Sequence, residues 1–290
     1  MVLKKLDGVV STIDFHVTCE CSQECPYCWG PQDIEKPVDT RTALRIIDKI
    51  KNVAARRIVF TGGDPLTRTD IVTLIRHAKE IGLEVALSTT GDELSPAFLK
   101  DVTPYVDLIS IPLDGPTDAV NVRTKKEGHF AAVMRALAWL RDHPSIDVKV
   151  CTPVTRHNLK TIPAVVHLVA YYAGTTQARV FSNIFQAFPR AMSDVEWEEL
   201  LVSDEEFEEL KSRVGTSDLI QINFLDQEIL DRLYLMVFPD GSLVIPRGSE
   251  FMSYGSFLDI EDFEFAIDDS RFDRAKHLRH SKGWQKKGEH

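Results

Sequence analysis

Between residues 9 and 185 the chain switches repeatedly between β-branched runs and helical-period segments, and that rhythm limits the possible fold more than any other feature. Residues 9–18 alternate, with Ile13, Phe15 and Val17 on one side and Asp14, His16 and Thr18 on the other, which reads as a first strand. After a cysteine-rich loop, Asp39 or Thr40 can cap a helix running to about residue 51, with Ala43, Ile46, Ile47 and Ile50 on one face. Further strands are expected at 57–60, 83–89, 106–111, 147–154 and 178–185. Helices are expected at 70–81, at 130–141 and, behind Asn158 as a cap, at 159–173. Strands and helices alternating at this spacing form right-handed βαβ units on a parallel sheet. Six units fall short of the eight that close a barrel, so the expected fold is α/β, a partial (β/α)6 barrel with its chemistry at the C-terminal strand ends.

The rhythm stops after Phe188. The expected division is therefore a barrel core at 1–188 and a cysteine-free extension at 189–290 that packs on the barrel as a lid. Within the extension, 197–214 reads as an acidic amphipathic helix, 233–244 as a hairpin around Pro239-Asp240-Gly241, and 253–270 as loop. A formal net charge of −10 argues against a general nucleic-acid binder, which needs a basic face. No run of 18 apolar residues offers a membrane span, and residues 1–7 lack the apolar stretch of a secretory leader.

Chemistry is concentrated in Cys21-Ser-Gln-Glu-Cys25-Pro-Tyr-Cys28, three thiols at C-x3-C-x2-C. Four of the five cysteines lie within ten residues, which is a metal loop and not a disulfide framework, and it points to a reducing, cytoplasmic setting. Thiolates suit both iron–sulfur clusters and zinc. A structural zinc site, in a binding protein without turnover, needs a fourth ligand; no second paired knuckle follows, and His16 is the remaining candidate. By spacing alone Cys19, Cys25 and Cys28 form a second possible triple.

The C-x3-C-x2-C loop with Tyr27 before its last cysteine resembles the signature of radical S-adenosylmethionine (SAM) enzymes. The stretch Thr61-Gly62-Gly63-Asp64-Pro65 resembles that family's G-G-E-P loop, with Asp64 where the family usually has Glu. The resemblance implies one [4Fe–4S] cluster on Cys21, Cys25 and Cys28, with Cys19 a bystander at the strand end. It implies SAM bound at the open iron and reductively cleaved to a 5′-deoxyadenosyl radical, with electrons from an external flavodoxin- or ferredoxin-type donor. It also places SAM contacts on Tyr27, on the loop Thr61 to Pro65, and on Ser88, Ser110, Asp114 and Arg123. Pro112 stands where the matching family strand has a second serine.

Along its length the chain is most similar to the viperin group of nucleotide-modifying enzymes. The carriers are Thr155-Arg-His-Asn158 after strand five and Val202-Ser-Asp-Glu-Glu-Phe-Glu208 in the extension. That group's phosphate-binding residues match poorly: only Lys149 is kept in strand five, and Ala178-Arg179-Val180 keeps no cation in the expected slots. In strand five, alternation puts Val148, Val150 and Thr152 toward the covering helices and Lys149 and Cys151 toward the lumen. Lys149 and Cys151 are thus the candidate substrate-side residues, and a lumen thiol suits hydrogen-atom donation. The expected function is a radical SAM enzyme acting on a small polar metabolite of nucleotide or sugar type, or alternatively a radical epimerase or dehydrogenase using Cys151.

Overall fold

The computed structural model of the protein describes residues 10–31, 34, 36–189 and 196–282. Residues 1–7, read above for a leader, lie outside the described residues. Six strands form the first part of the sheet: β1 (Thr12–His16), β2 (Arg57–Thr61), β3 (Glu84–Ser88), β4 (Leu108–Pro112), β5 (Asp147–Val154) and β6 (Val180–Gln186). They pair in sequence order and all in parallel. Between them run α1 (Thr40–Asn52), α2 (Ile71–Glu80), α3 (Pro96–Val102), α4 (Asp118–Asn121), α5 (His129–Leu140) and α6 (Ile162–Ala173).

Strand alternation separates the two sides of the sheet. Ile13 and Phe15 of β1, Val17 just after it, and Val148 and Val150 of β5 are fully buried, in one apolar core with Ala43, Ile46, Ile47 and Ile50 of α1. The opposite face of β1 and β5 carries Asp14, His16, Lys149 and Cys151 into the lumen cavity. Deeper in the lumen Val59, Ala86, Leu108 and Phe181 form a small separate apolar cluster, so only part of the interior is polar. Asp39 is the residue that caps α1, accepting from Thr42 N at 2.8 Å. Asn158 does not cap α6. Its side chain accepts from Thr155 N and donates to the carbonyls of Asp114 and Pro153, each at 2.8 Å, and so ties the end of β5 to the end of β4.

The extension continues the same sheet. Its helices and strands are α7 (Trp197–Leu200), α8 (Asp204–Val214), β7 (Gln221–Leu225), α9 (Gln227–Leu230), β8 (Met236–Val237), β9 (Ser242–Arg247), β10 (Glu250–Ser256), α10 (Phe263–Asp269) and α11 (Arg274–Lys282). Strand β7 adds in parallel to β6, and β8 adds in parallel to β1, giving the order β10-β9-β8-β1-β2-β3-β4-β5-β6-β7. The expected helix at 197–214 is two helices, because Ser203 opens α8 with a capping box to Glu206. The expected loop at 253–270 is instead the end of β10 followed by α10. The expected hairpin at 233–244 is the antiparallel β8–β9 pair.

Helix α11 is fastened to the start of β1 by one buried imidazole. His277 Nε2 accepts from the N–H groups of Ser11 and Thr12 at 3.1 Å each, while Nδ1 donates to Leu233 O at 2.9 Å. Acceptance at Nε2 requires the neutral ring, and burial pulls its pKa down to match. No described helix is long and apolar enough to cross a membrane.

Candidate active site

The cysteine loop and the glycine strip after β2 are stitched together through their backbones. Gly63 N donates to Thr18 O at 2.8 Å, Asp64 N to Glu20 O at 2.7 Å, and Val17 N to Thr61 O at 2.9 Å. The glycines are required by this approach. Gly62 has φ of +140°, and a Cβ there would lie 2.3 Å from Thr18 O; one on Gly63 would lie 2.2 Å from Glu20 O. The N–H groups of Gly63 and Asp64 are thereby spent on the cysteine loop.

Asp64 does its work from behind the strip. Fully buried, it accepts from Leu66 N, Thr89 Oγ1, Thr90 N and Thr90 Oγ1 at 2.6–3.2 Å, tying the end of β2 to the end of β3. Thr90 also meets Ser22 Oγ at 3.4 Å, and Asp92 accepts from Ser22 Oγ and Gln23 Nε2 at 2.5 and 2.6 Å, so β3 also supports the cysteine loop.

Cys21, Cys25 and Cys28 line one cavity of about 360 Å³ that runs from this loop into the lumen. Burial pushes the Cys25 thiol up and that of Cys21 up to about 11, so the free thiols are protonated at neutral pH and metal uptake must release those protons. No three His, Cys, Asp or Glu side chains among the described residues converge on a single ion. Three thiols spread along one cavity wall suit a cluster whose cysteines bind separate irons, so the residues present fit an iron–sulfur centre.

The same cavity is lined by Tyr27, Thr61, Gly62, Gly63, Ser88, Ser110, Lys149 and Cys151, so most of the residues singled out from sequence come together. Asp64, Pro65, Asp114 and Arg123 do not line it. Asp114 is buried behind the wall, where its Oδ2 accepts from Tyr27 Oη and Thr124 Oγ1, and its Oδ1 has no hydrogen-bond partner among the described residues. Arg123 is exposed at the surface. The cation that this segment sends to the cavity is Lys125, 8% exposed, with Nζ 2.9 Å from Cys25 Sγ and 5.3 Å from the centre of the Tyr27 ring. Burial alone would lower the Lys125 pKa, but Asp114 and Cys25 outweigh it and hold the ammonium above the usual lysine range.

The lining also includes Asp14, Arg57, Asn183, Gln186, Tyr234 and His280. Cys151 Sγ is 3.3 Å from Ser110 Oγ, and Asn183 Oδ1 accepts from Asn223 Nδ2 at 2.9 Å. Arg57 is committed to Glu84 in an ion pair. Burial lifts the Asp14 carboxyl to about 7 against the pull of Lys149 and Arg57. Burial also lowers His280 to about 4, with Lys149 and other nearby cations acting in the same direction. Tyr234 is pushed up by burial and by Asp14 and Cys151. Sequence reasoning passed over all six of these residues. The alternation of β1 did put Asp14 on the polar side, and that was the available signal; Tyr234 and His280 come from the extension and carried none.

Trp29 joins the two halves of the chain. It follows Cys28 and packs edge-on against Phe188, Tyr234 and Phe251 at centroid distances of 5.2, 6.0 and 5.8 Å.

Comparison with known proteins agrees with this geometry. A family model described as the Radical SAM superfamily matches residues 15–169. An S-adenosylmethionine-dependent nucleotide dehydratase of Flammeovirga pacifica is 23% identical over 270 residues, covering 88% of this chain and 89% of that protein. An AdoMet-dependent heme synthase of Nitratidesulfovibrio vulgaris is 33% identical over 152 residues, 51% of this chain; the chain spans only 41% of that relative's length. Among solved structures, native anSMEcpe with bound AdoMet and Kp18Cys peptide superposes with a TM-score of 0.70 at 12% identity, covering 92% of this chain and 83% of that one. Streptococcus suis SuiB bound to S-adenosylmethionine gives 0.67 at 11% identity, covering 94% and 68%. At these identities the structural likeness speaks to the fold, a radical SAM partial barrel.

Proposed function

This chain belongs to the radical SAM superfamily of enzymes, which use a [4Fe–4S] cluster and SAM, and from that premise we propose that it removes hydrogen from a small polar metabolite of nucleotide or sugar type held in the barrel lumen. When bound, the cluster and SAM supply a 5′-deoxyadenosyl radical able to attack an unactivated C–H bond. Cys21, Cys25 and Cys28 hold the cluster; Tyr27, Thr61, Gly62, Gly63, Ser88 and Ser110 face SAM; Asp64, Pro65 and Asp114 keep that wall in place. Lys149, Asn183 and Gln186 orient the polar groups of the substrate, and Trp29, Phe185 and Phe188 exclude water. Within the extension, Leu230, Leu233 and Tyr234 and the α11 residues His277, His280 and Ser281 serve as the lid. Electrons come from an external flavodoxin- or ferredoxin-type donor.

One observation carries this reading: the thiols, the glycine strip and the polar residues of β5 and β6 line a single cavity. Similarity to a nucleotide dehydratase over 88% of the chain supports a nucleotide-type substrate. The charge of the lumen argues against a triphosphate. Lys149 stands beside Asp14, Arg57 is paired with Glu84, and β6 offers Asn183 and Gln186 where a triphosphate needs further cations. The test is 5′-deoxyadenosine formation by reconstituted protein with nucleosides, nucleoside monophosphates and triphosphates, sugars and short peptides. At least tenfold stimulation by a compound of the first two classes or by a sugar is expected, and stimulation by peptides alone would overturn the proposal.

A second reading, a radical epimerase or dehydrogenase, is favoured by the position of Cys151 on the cavity wall beside Ser110. In the epimerase form the thiol S–H bond breaks and a C–H bond forms at the substrate radical; one electron from the external donor and one proton from solvent then restore the thiol. In deuterated water this predicts deuterium at the product carbon with wild-type protein and its loss in Cys151→Ala. Equal incorporation in both rules the donor role out.

A further inference from the structure

The loop between α4 and α5 is held against the cysteine loop by hydrogen bonds from several of its residues. Asn121, fully buried, accepts from Asp114 N at 3.0 Å and meets His129 Nδ1 at 2.9 Å, which fixes the segment at both ends. Lys126 N donates to Gln23 Oε1 at 2.8 Å, and Lys126 Nζ pairs with Glu24 at 2.7 Å. Between these attachments Lys125 is turned inward, its ammonium 2.9 Å from Cys25 Sγ and over the Tyr27 ring. A buried cation costs free energy unless something repays it. Here the neighbours are a sulfur, a π-face and the Asp114 carboxylate, whose second oxygen lacks a hydrogen-bond partner among the described residues.

We propose that Lys125 tunes the reduction potential of the cluster held by Cys25, through a charge-assisted N–H···S contact that favours the reduced state. The proposal rests on the cluster assignment made above. Reduction adds one negative charge to the centre, and a fixed positive charge in a weakly screened site stabilises the more negative form. Hydrogen bonds to cluster sulfurs and nearby charge are recognised means by which a protein sets such potentials. Lys125 is a tuning residue and not a proton donor, since its work is done by standing charge at a fixed place.

The test is a reductive titration of reconstituted protein, without SAM or substrate, followed by electron paramagnetic resonance. In Lys125→Met the ratio of reduced to oxidised cluster at a given ambient potential is expected to fall about tenfold, which for a one-electron couple is ~59 mV more negative. Lys125→Arg, which keeps the charge, stays within about threefold of wild type. Should Lys125→Met fail to take up iron, Lys125→Gln provides the reading, because it keeps an N–H donor without charge and must fall between wild type and the tenfold loss. Unchanged potentials in the neutral variants overturn the proposal, including the case where only SAM affinity drops. Wild-type protein that takes up no cluster would instead strike at the functional assignment itself.

Discussion

The two ends of the cavity are built in opposite ways. The cofactor end is made by contiguous stretches, the cysteine loop and the Gly62-Gly63 strip, locked together by backbone hydrogen bonds and by one buried carboxylate. The substrate end is assembled from single residues of β1, β2, β5 and β6 and from the extension: Asp14, Arg57, Lys149, Cys151, Asn183, Tyr234 and His280. A group of fixed shape can be met by a fixed loop, whereas the substrate is met by side chains that strand register places one at a time. The first kind of site leaves a local pattern in the sequence and the second does not.

The largest expected effect separates the neighbouring thiols at the cofactor end. Cys25→Ala is expected to lose cluster iron to background after reconstitution, while Cys19→Ala, which lies outside the cavity lining, keeps wild-type iron content. An iron-free Cys19→Ala protein would break the assignment.

Next comes the scaffold of that end. Asp64→Ala orphans the donors of Leu66, Thr89 and Thr90, and should cost about 3 kcal/mol of unfolding free energy in urea titrations of metal-free protein. A loss well under 1 kcal/mol would mean that the carboxylate is not what joins β2 to β3.

The substrate end gives a smaller, pH-dependent effect. Asp14 has its folded pKa raised from 3.8 to about 7, so the folded protein holds a proton that the unfolded chain has released. Stability contributed by this group is therefore present below about pH 4 and is lost as pH rises to about 7. Because Asp14 borders the cavity, the loss is expected to be on the order of 1–2 kcal/mol and not the full shift. Asp14→Asn should flatten that slope, and an unchanged slope between pH 4 and 7 would contradict the burial argument. The smallest effect is expected at Arg123: Arg123→Ala should leave SAM affinity within about twofold, because the side chain is exposed and off the cavity.

What the sequence revealed follows the same division. The parallel core, the outward valines and inward Lys149 and Cys151 of β5, and the cysteine and glycine loops were all legible, since each depends on short-range periodicity or a contiguous motif. Strand β7 was not: it has five residues, lies at the sheet edge and has one buried position, so it carries little alternation. Lys125 was passed over for Arg123 two residues earlier, because which member of Arg123-Thr124-Lys125-Lys126 turns inward is decided by the clamp of Asn121 and Gln23, a tertiary matter. Tyr234 and His280 enter the lumen only through the way the extension folds back on β1.

The most direct test of a cavity with two distinct ends is 5′-deoxyadenosine production by anaerobically reconstituted protein given SAM and dithionite. Wild-type protein should form the nucleoside, Cys25→Ala should form none, and Lys149→Met should keep the basal rate while losing stimulation by the substrate. Nucleoside from Cys25→Ala, or a Lys149→Met protein with intact substrate stimulation, would contradict the account.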